Sequence, residues 1–140
     1  MKVLFDTNVI LDALIDRNDL FSTSRFLINC VVDEKIKGYI SSKQVTDIYY
    51  ILRKYYDGDK RKKLLKLIFE TFEVLPLLPS FASYCVNSKI QDYEDAILDE
   101  TAKINMIPYI VTNNLKDFEN SKSAVISPKD LYTLIEVTNP

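Results

Sequence analysis

Five short apolar runs, separated by longer stretches of helical periodicity, constrain this chain more than any other feature of it. The runs lie near 2–5, 39–41, 73–77, 109–112 and 124–126 and read as strands; most of the intervals read as helices. Strand and helix in alternation give an α/β fold, a parallel sheet of about five strands covered by helices. At 140 residues the chain is expected to form a single unit over 1–140 with a core of useful size.

Punctuation in the sequence sets the element ends. A helix is expected from about 20 to 36, with Gly38 as its stop, and another from a Ser42 cap to about residue 56. Asp57-Gly58-Asp59 reads as a turn before a basic helix over 60–72. Pro76 and Pro79 bracket a strand end and a helix start, a further helix runs from after Asp92 to before Pro108, and the last spans 128–136 behind Pro128.

The first run, Val3-Leu4-Phe5, leads straight into Asp6, at the carboxyl end of a strand, where open α/β sheets hold their ligands. In right-handed βαβ units, strand ends and the following helix starts share one edge of the sheet. Asp47 in the second turn of a helix, Asp92 and Asp95 at the start of another, and Thr112-Asn113-Asn114 at the end of the fourth strand all belong to that edge. By helical phase Asp47 borders the arc of Val45, Ile48, Ile51 and Leu52 and looks toward the interior rim, and Asp95 lies on the inner margin of the arc of Ile97, Leu98 and Ala102.

Several of these acids also have structural readings. Asp92 and Asp95 fit the N-cap and third position of a capping-box variant, so capping and site membership are both open for Asp92. Glu94 and Asp99 stand between rim and site, and Asp12 reads as a supporting or surface helix residue. Tyr49, Tyr50, Tyr55 and Tyr56 read as core and half-buried surface before they read as a base-stacking platform.

Histidine is absent, which excludes His-based triads, His general bases and zinc sites that need imidazole. Carboxylates gathered at an apolar rim repel one another and lose hydration, and a divalent cation offsets both costs. With oxygen donors alone, that cation is Mg²⁺ or Mn²⁺, which activates water and stabilises charge on a phosphodiester. Cys30 and Cys85 are isolated and read as core thiols.

A net charge of −2 argues against a generic basic nucleic-acid binder. Arg53, Lys54, Lys60, Arg61, Lys62, Lys63 and Lys66 nevertheless crowd into fourteen residues, which reads as the solvated face of a helical hairpin. No apolar run approaches the roughly 18 residues of a membrane span. Nor does the start show a basic region followed by a long apolar stretch, so a cytoplasmic protein is expected.

Asp6-Thr7-Asn8-Val9, Thr46-Asp47-Ile48-Tyr49-Tyr50, Asp92-Tyr93-Glu94-Asp95-Ala96 and Val111-Thr112-Asn113-Asn114-Leu115-Lys116-Asp117-Phe118, in this order across nearly the whole chain, resemble the PIN domain family. The resemblance implies a three-layer α/β/α sandwich and a metal-dependent ribonuclease, in many small bacterial and archaeal members a VapC-type toxin paired with an antitoxin. It makes Asp6, Asp47 and Asp95 the acidic metal-site residues and Asn8 and Thr112 their hydrogen-bonding supports. Asp47 stands where the family commonly has Glu, and Asn114 where it often has Asp. Either Asp117 supplies the fourth carboxylate or Asn114 holds a metal-bound water.

The expected function is therefore a Mg²⁺- or Mn²⁺-dependent endoribonuclease acting on an RNA substrate, the toxin of a type II toxin–antitoxin pair, with a small antitoxin partner and a homodimer. Partner or dimer contacts are expected in the 43–72 region. The alternative is a PIN-like RNA-binding or protein-binding module without catalysis, motivated by Asn114 and the acidic pI of about 5.2. A receiver-like phosphoacceptor fits poorly, because the 73–77 run ends in Leu77-Leu78 where that chemistry wants a strand-end Lys.

Overall fold

Val3 and Phe5 pack into one layer of the core while Leu4 between them packs into the other, and the same division separates Ile40 from Tyr39 and Val111 from Ile110. Such two-sided burial of successive residues is what a covered parallel sheet requires. In the computed structural model, which describes residues 1–139, that sheet has five parallel strands in the order β3-β2-β1-β4-β5. They are β1 (Lys2–Phe5), β2 (Lys37–Ser41), β3 (Glu73–Leu75), β4 (Tyr109–Val111) and β5 (Ala124–Ile126). Residue 140 of the expected unit lies outside the described residues.

Among the described residues there are seven α-helices, six between strands and the last after β5: α1 (Thr7–Leu14), α2 (Phe21–Val32), α3 (Ser42–Leu52), α4 (Gly58–Thr71), α5 (Pro79–Tyr84), α6 (Tyr93–Ile104) and α7 (Pro128–Thr138). Residues from α1, α2, α3, α4 and α7 build the larger core cluster on one face, and α6 covers Leu4, Tyr39, Leu75 and Ile110 on the other. The expected three-layer sandwich is the observed one. Among the described residues no helix is long and apolar enough to cross a membrane.

Pairing register places β1 at the centre, with Leu4 opposite Tyr39 on one side and Ile110 on the other. The chain moves outward from β1 through β2 to β3, then crosses back to β4 and on to β5. The strand order therefore reverses between β1 and β4, the kind of crevice where open α/β sheets bind ligands.

Several element ends differ from the sequence reading. Gly38 is not a helix stop: α2 ends at Val32, Glu34 takes the left-handed conformation at φ 58°, and Gly38 lies inside β2. It is glycine for space, since a Cβ there would come within 2.8 Å of the Phe72 ring and 2.9 Å of Val31 Cγ1. Ser42 is not the cap of α3; Ser41 is, closing a capping box with Gln44, while Ser42 Oγ accepts from the Leu77 amide at 3.2 Å.

Helix α3 stops at Leu52 rather than near 56, with Tyr55 and Tyr56 in the turn that follows. Asp57 is an N-cap whose Oδ1 accepts from the Lys60 amide at 2.8 Å, so the expected turn is already the start of α4. Strand β3 ends at Leu75 because Pro76 has no N–H to give the ladder.

Candidate active site

Asp6 follows β1 and caps α1, its Oδ1 accepting from the Thr7 amide at 2.7 Å. Its other oxygen accepts from Thr112 Oγ1 at 2.7 Å, and its own amide donates to Val111 O at 3.0 Å. The ends of the two strands at the reversal point are thereby stitched together through one carboxylate. Burial raises the pKa of Asp6; the Thr112 and Thr7 hydrogen bonds oppose the rise, and the charges of Asp117 and Asp92 add to it.

Across the cleft, Asp95 sits half-buried in the first turn of α6. Its pKa is pushed up to about 7, first by burial and then by the surrounding negative charge of Asp6, Asp92, Asp117 and Glu94. Asp92 is the N-cap of α6, with Oδ1 accepting from the Asp95 amide at 3.0 Å. It therefore caps the helix and also contributes charge to the site.

Asp6, Asp47, Glu94 and Asp95 line one cleft of about 350 Å³, together with Lys43, Gln44 and Tyr50. Asp117 lies on an exposed 3₁₀ turn over Leu115–Phe118 and shares an adjoining cavity with Asp92. Asp47 is placed at this cleft but is engaged by a lysine: Lys43 Nζ donates to it at 2.5 Å and to Glu94 at 2.8 Å, joining α3 to α6. These partners hold the Lys43 pKa above its usual value against the opposing effect of burial.

Asn8 Oδ1 accepts from the Asn113 amide at 3.4 Å, and the Asn114 amide donates to Thr112 Oγ1 at 3.1 Å, while Asn114 itself is exposed. Asp99 does not join the group. It is buried one turn further along α6, where it accepts from Ser121 Oγ at 2.5 Å and the Lys122 amide at 3.0 Å.

One support escaped the sequence reading. Gln44, 2% exposed, donates through Nε2 to Phe5 O at 2.7 Å and Thr7 Oγ1 at 3.2 Å, while its Oε1 accepts from the Ser41 amide at 2.7 Å. The Ser41-Ser42-Lys43-Gln44 spacing was the available signal. Of the two readings open for Asp12, supporting or surface, the structure shows the supporting one. Fully buried, it accepts from Arg17 Nε at 2.7 Å, Asn18 Nδ2 at 2.9 Å and Asn113 Nδ2 at 2.7 Å, and so fixes the loop after β4.

Carboxylate and amide oxygens are the donors that hard divalent cations take, and such a cation relieves the burial and neighbouring negative charge that raise the pKa values of Asp6 and Asp95. Among the described residues no three acidic or thiol side chains are grouped closely enough to hold an ion. The donor chemistry fits a divalent cation, and the side chains would have to draw together to hold it.

Residues 2–116 match the PIN domain family, and the chain belongs to that family. Solved structures with the same fold include VapBC2 from Rickettsia felis bound to a DNA fragment from its promoter, at 16% identity and TM-score 0.64, covering 91% of this chain and 98% of that one. A toxin–antitoxin complex from Klebsiella pneumoniae matches at 21% identity and TM-score 0.64 over 90% and 97% of the two chains. PAE2754 from Pyrobaculum aerophilum matches at 15% and TM-score 0.68 over 98% and 90%. No curated protein matches the chain.

Proposed function

We propose that this protein is a Mg²⁺- or Mn²⁺-dependent endoribonuclease and the toxin of a toxin–antitoxin pair. The observation that carries the reading is the pairing of Asp6 and Asp95 across the reversal-point cleft, with Asp95 held near pKa 7 by burial and by four neighbouring carboxylates. A bound divalent cation would supply the positive charge needed at a phosphodiester and activate a water for hydrolysis.

Asp6 and Asp95 would be its main ligands, with Asp47 and either Asp117 or Asn114 completing the shell. Thr112 and the Thr7 amide aim the Asp6 oxygens, Asn8 steadies the loop that carries Thr112, and Asp92 fixes the first turn of α6. Gln44 holds α3 against the end of β1, which keeps Lys43 and Asp47 at the cleft.

Membership of the PIN family and the likeness to toxin–antitoxin structures support the toxin assignment. The surface assigned to an antitoxin is the apolar groove between α1, α2 and α4, about 380 Å³, where Leu67 and Val32 remain more than half exposed beside Ile10 and Leu64. A small antitoxin gene beside this one and a homodimer in solution belong to the same reading.

Titration calorimetry of metal-free protein with Mn²⁺ tests it, followed by RNA cleavage with the same samples. Saturable binding, lost in Asp6→Asn and Asp95→Asn together with at least 100-fold of the cleavage rate, is the expected result. A second reading, a PIN-like binding module without catalysis, has the Lys43 bridge to Asp47 and Glu94 in its favour, since a lysine already neutralises part of the acidic cleft. RNA binding unchanged by EDTA, with no cleavage in Mn²⁺, would establish that module instead.

A further inference from the structure

Lys43, Asp47 and Tyr50 follow one another at four and three residues along α3 and so share a helical face, the one that borders the acidic cleft. Tyr50 is 57% exposed although it belongs to a helix whose Ile48 and Leu52 are completely buried. Its ring is not loose. The Arg53 guanidinium lies 3.9 Å from the ring centroid, and Arg53 Nη2 donates to the Tyr50 hydroxyl at 2.7 Å. An aromatic ring braced by arginine at the mouth of the cleft is a stacking platform with a cation beside it.

Charge gives the platform a direction. Residues 53–66 hold seven basic residues against two acidic ones, in a chain whose net charge is −2. The turn after α3 and the first half of α4 therefore form a positive flank beginning at Arg53, immediately beyond Tyr50. Arg61, stacked 4.5 Å from the Tyr49 ring, continues the same interleaving of cation and aromatic ring, while Lys60, 5.8 Å from the Tyr56 ring, lines the groove between α1, α2 and α4 instead.

We infer that Tyr50, braced by Arg53, is the stacking platform for an RNA base at the mouth of the acidic cleft, with the backbone of the bound strand leaving the cleft along the Arg53–Lys66 flank. This rests on the ribonuclease reading above. A base in a duplex has both faces covered by its stacked neighbours and cannot lie on the ring, whereas an unpaired base offers a free face. The guanidinium that braces the ring is then placed to meet the phosphate joining that base to the next nucleotide.

The test compares binding and cleavage of a fluorescein-labelled 12-nucleotide RNA of mixed sequence, free or annealed to its complement, by wild type, Tyr50→Ala, Tyr50→Phe and Arg53→Ala. Binding is read by anisotropy in EDTA and cleavage in Mn²⁺. Base–aromatic stacking is worth about 1–3 kcal/mol, so Tyr50→Ala is expected to weaken binding of the free strand by about 5- to 150-fold. Tyr50→Phe should stay within a few-fold of wild type, and the annealed strand should bind more weakly and ignore all changes at Tyr50.

Tyr50→Ala binding the free strand as wild type does overturns the inference, as does equal loss on the free and annealed strands or failure of wild type to bind the free strand. The two readings separate cleanly. Cleavage untouched by Tyr50→Ala leaves the ribonuclease and removes the platform, while Tyr50-dependent binding without cleavage in Mn²⁺ keeps the platform and removes the ribonuclease.

Discussion

Asp95 combines a half-buried position with four acidic neighbours, and the consequence is a proton retained near neutrality. Folding lifts its pKa from 3.8 to about 7, so between those values the native state binds more protons than the unfolded chain. Stability must then fall as pH rises through that window, the reverse of a carboxylate held in a salt bridge. Melting followed by circular dichroism should give metal-free protein a lower Tm at pH 8 than at pH 6. Asp95→Asn should remove most of that difference, and Mn²⁺ should raise Tm more at pH 8 than at pH 6. Identical slopes in wild type and Asp95→Asn would show that burial and repulsion at this carboxyl do not set the pH dependence of stability. Asp6 and Asp95 were legible in the sequence because a strand end and a helix start mark them. For Asp12 the sequence left support and surface both open, since its partners Arg17, Asn18 and Asn113 come together only when the loop after β4 folds back over α1.

At the scale of elements, strand β2 shows why a residue's type can be read correctly and its role missed. Glycine after a helical stretch suggested a helix stop, yet Gly38 pairs with Val3 in the sheet under the Phe72 ring, which itself stacks edge-on against Phe5 at 5.1 Å. A methyl group there must displace buried neighbours, an overpacking that typically costs about 1–3 kcal/mol. Gly38→Ala is expected to lose stability in that range in urea unfolding, and Gly38→Ala with Phe72→Leu should lose less than the two single changes combined. Strict additivity would mean that the crowding against Phe72 is not the cause. Local signals did fix the other elements wherever the deciding atom was local. Pro128 and Ser127 open α7, and Asp92 opens α6. The Ser41 cap of α3 was marked locally as well, by the Ser41–Gln44 spacing, whereas the reach of Gln44 to Phe5 O, 39 residues away in the chain, was not.

Across the whole molecule, the strand order turns a linear series of acids into a site. The alternation of strands and helices predicts a parallel sheet, but nothing local says that β4 returns to the far side of β1, and it is this return that brings Thr112 to Asp6. Nor does the sequence say that the basic run begins at the edge of the acidic cleft; that follows from Arg53 stacking on Tyr50, which lines the cleft with Lys43 and Asp47. The fold thus separates its charges into an acidic cleft suited to a cation and a basic flank suited to phosphates, although the net charge of −2 hides both. Such a division makes the two functions separable by mutation. Lys62 and Lys63 are exposed on α4, and neither makes a side-chain hydrogen bond or salt bridge among the described residues. Lys62→Ala with Lys63→Ala should leave Mn²⁺ binding by calorimetry unchanged while weakening RNA binding. The slope of log K against log salt for a single strand should become shallower by about 0.7 for each phosphate that the protein no longer neutralises. A weaker affinity with an unchanged salt slope would mean that these lysines act through the fold rather than on the backbone of the RNA, and the phosphate path would then have to leave the cleft elsewhere.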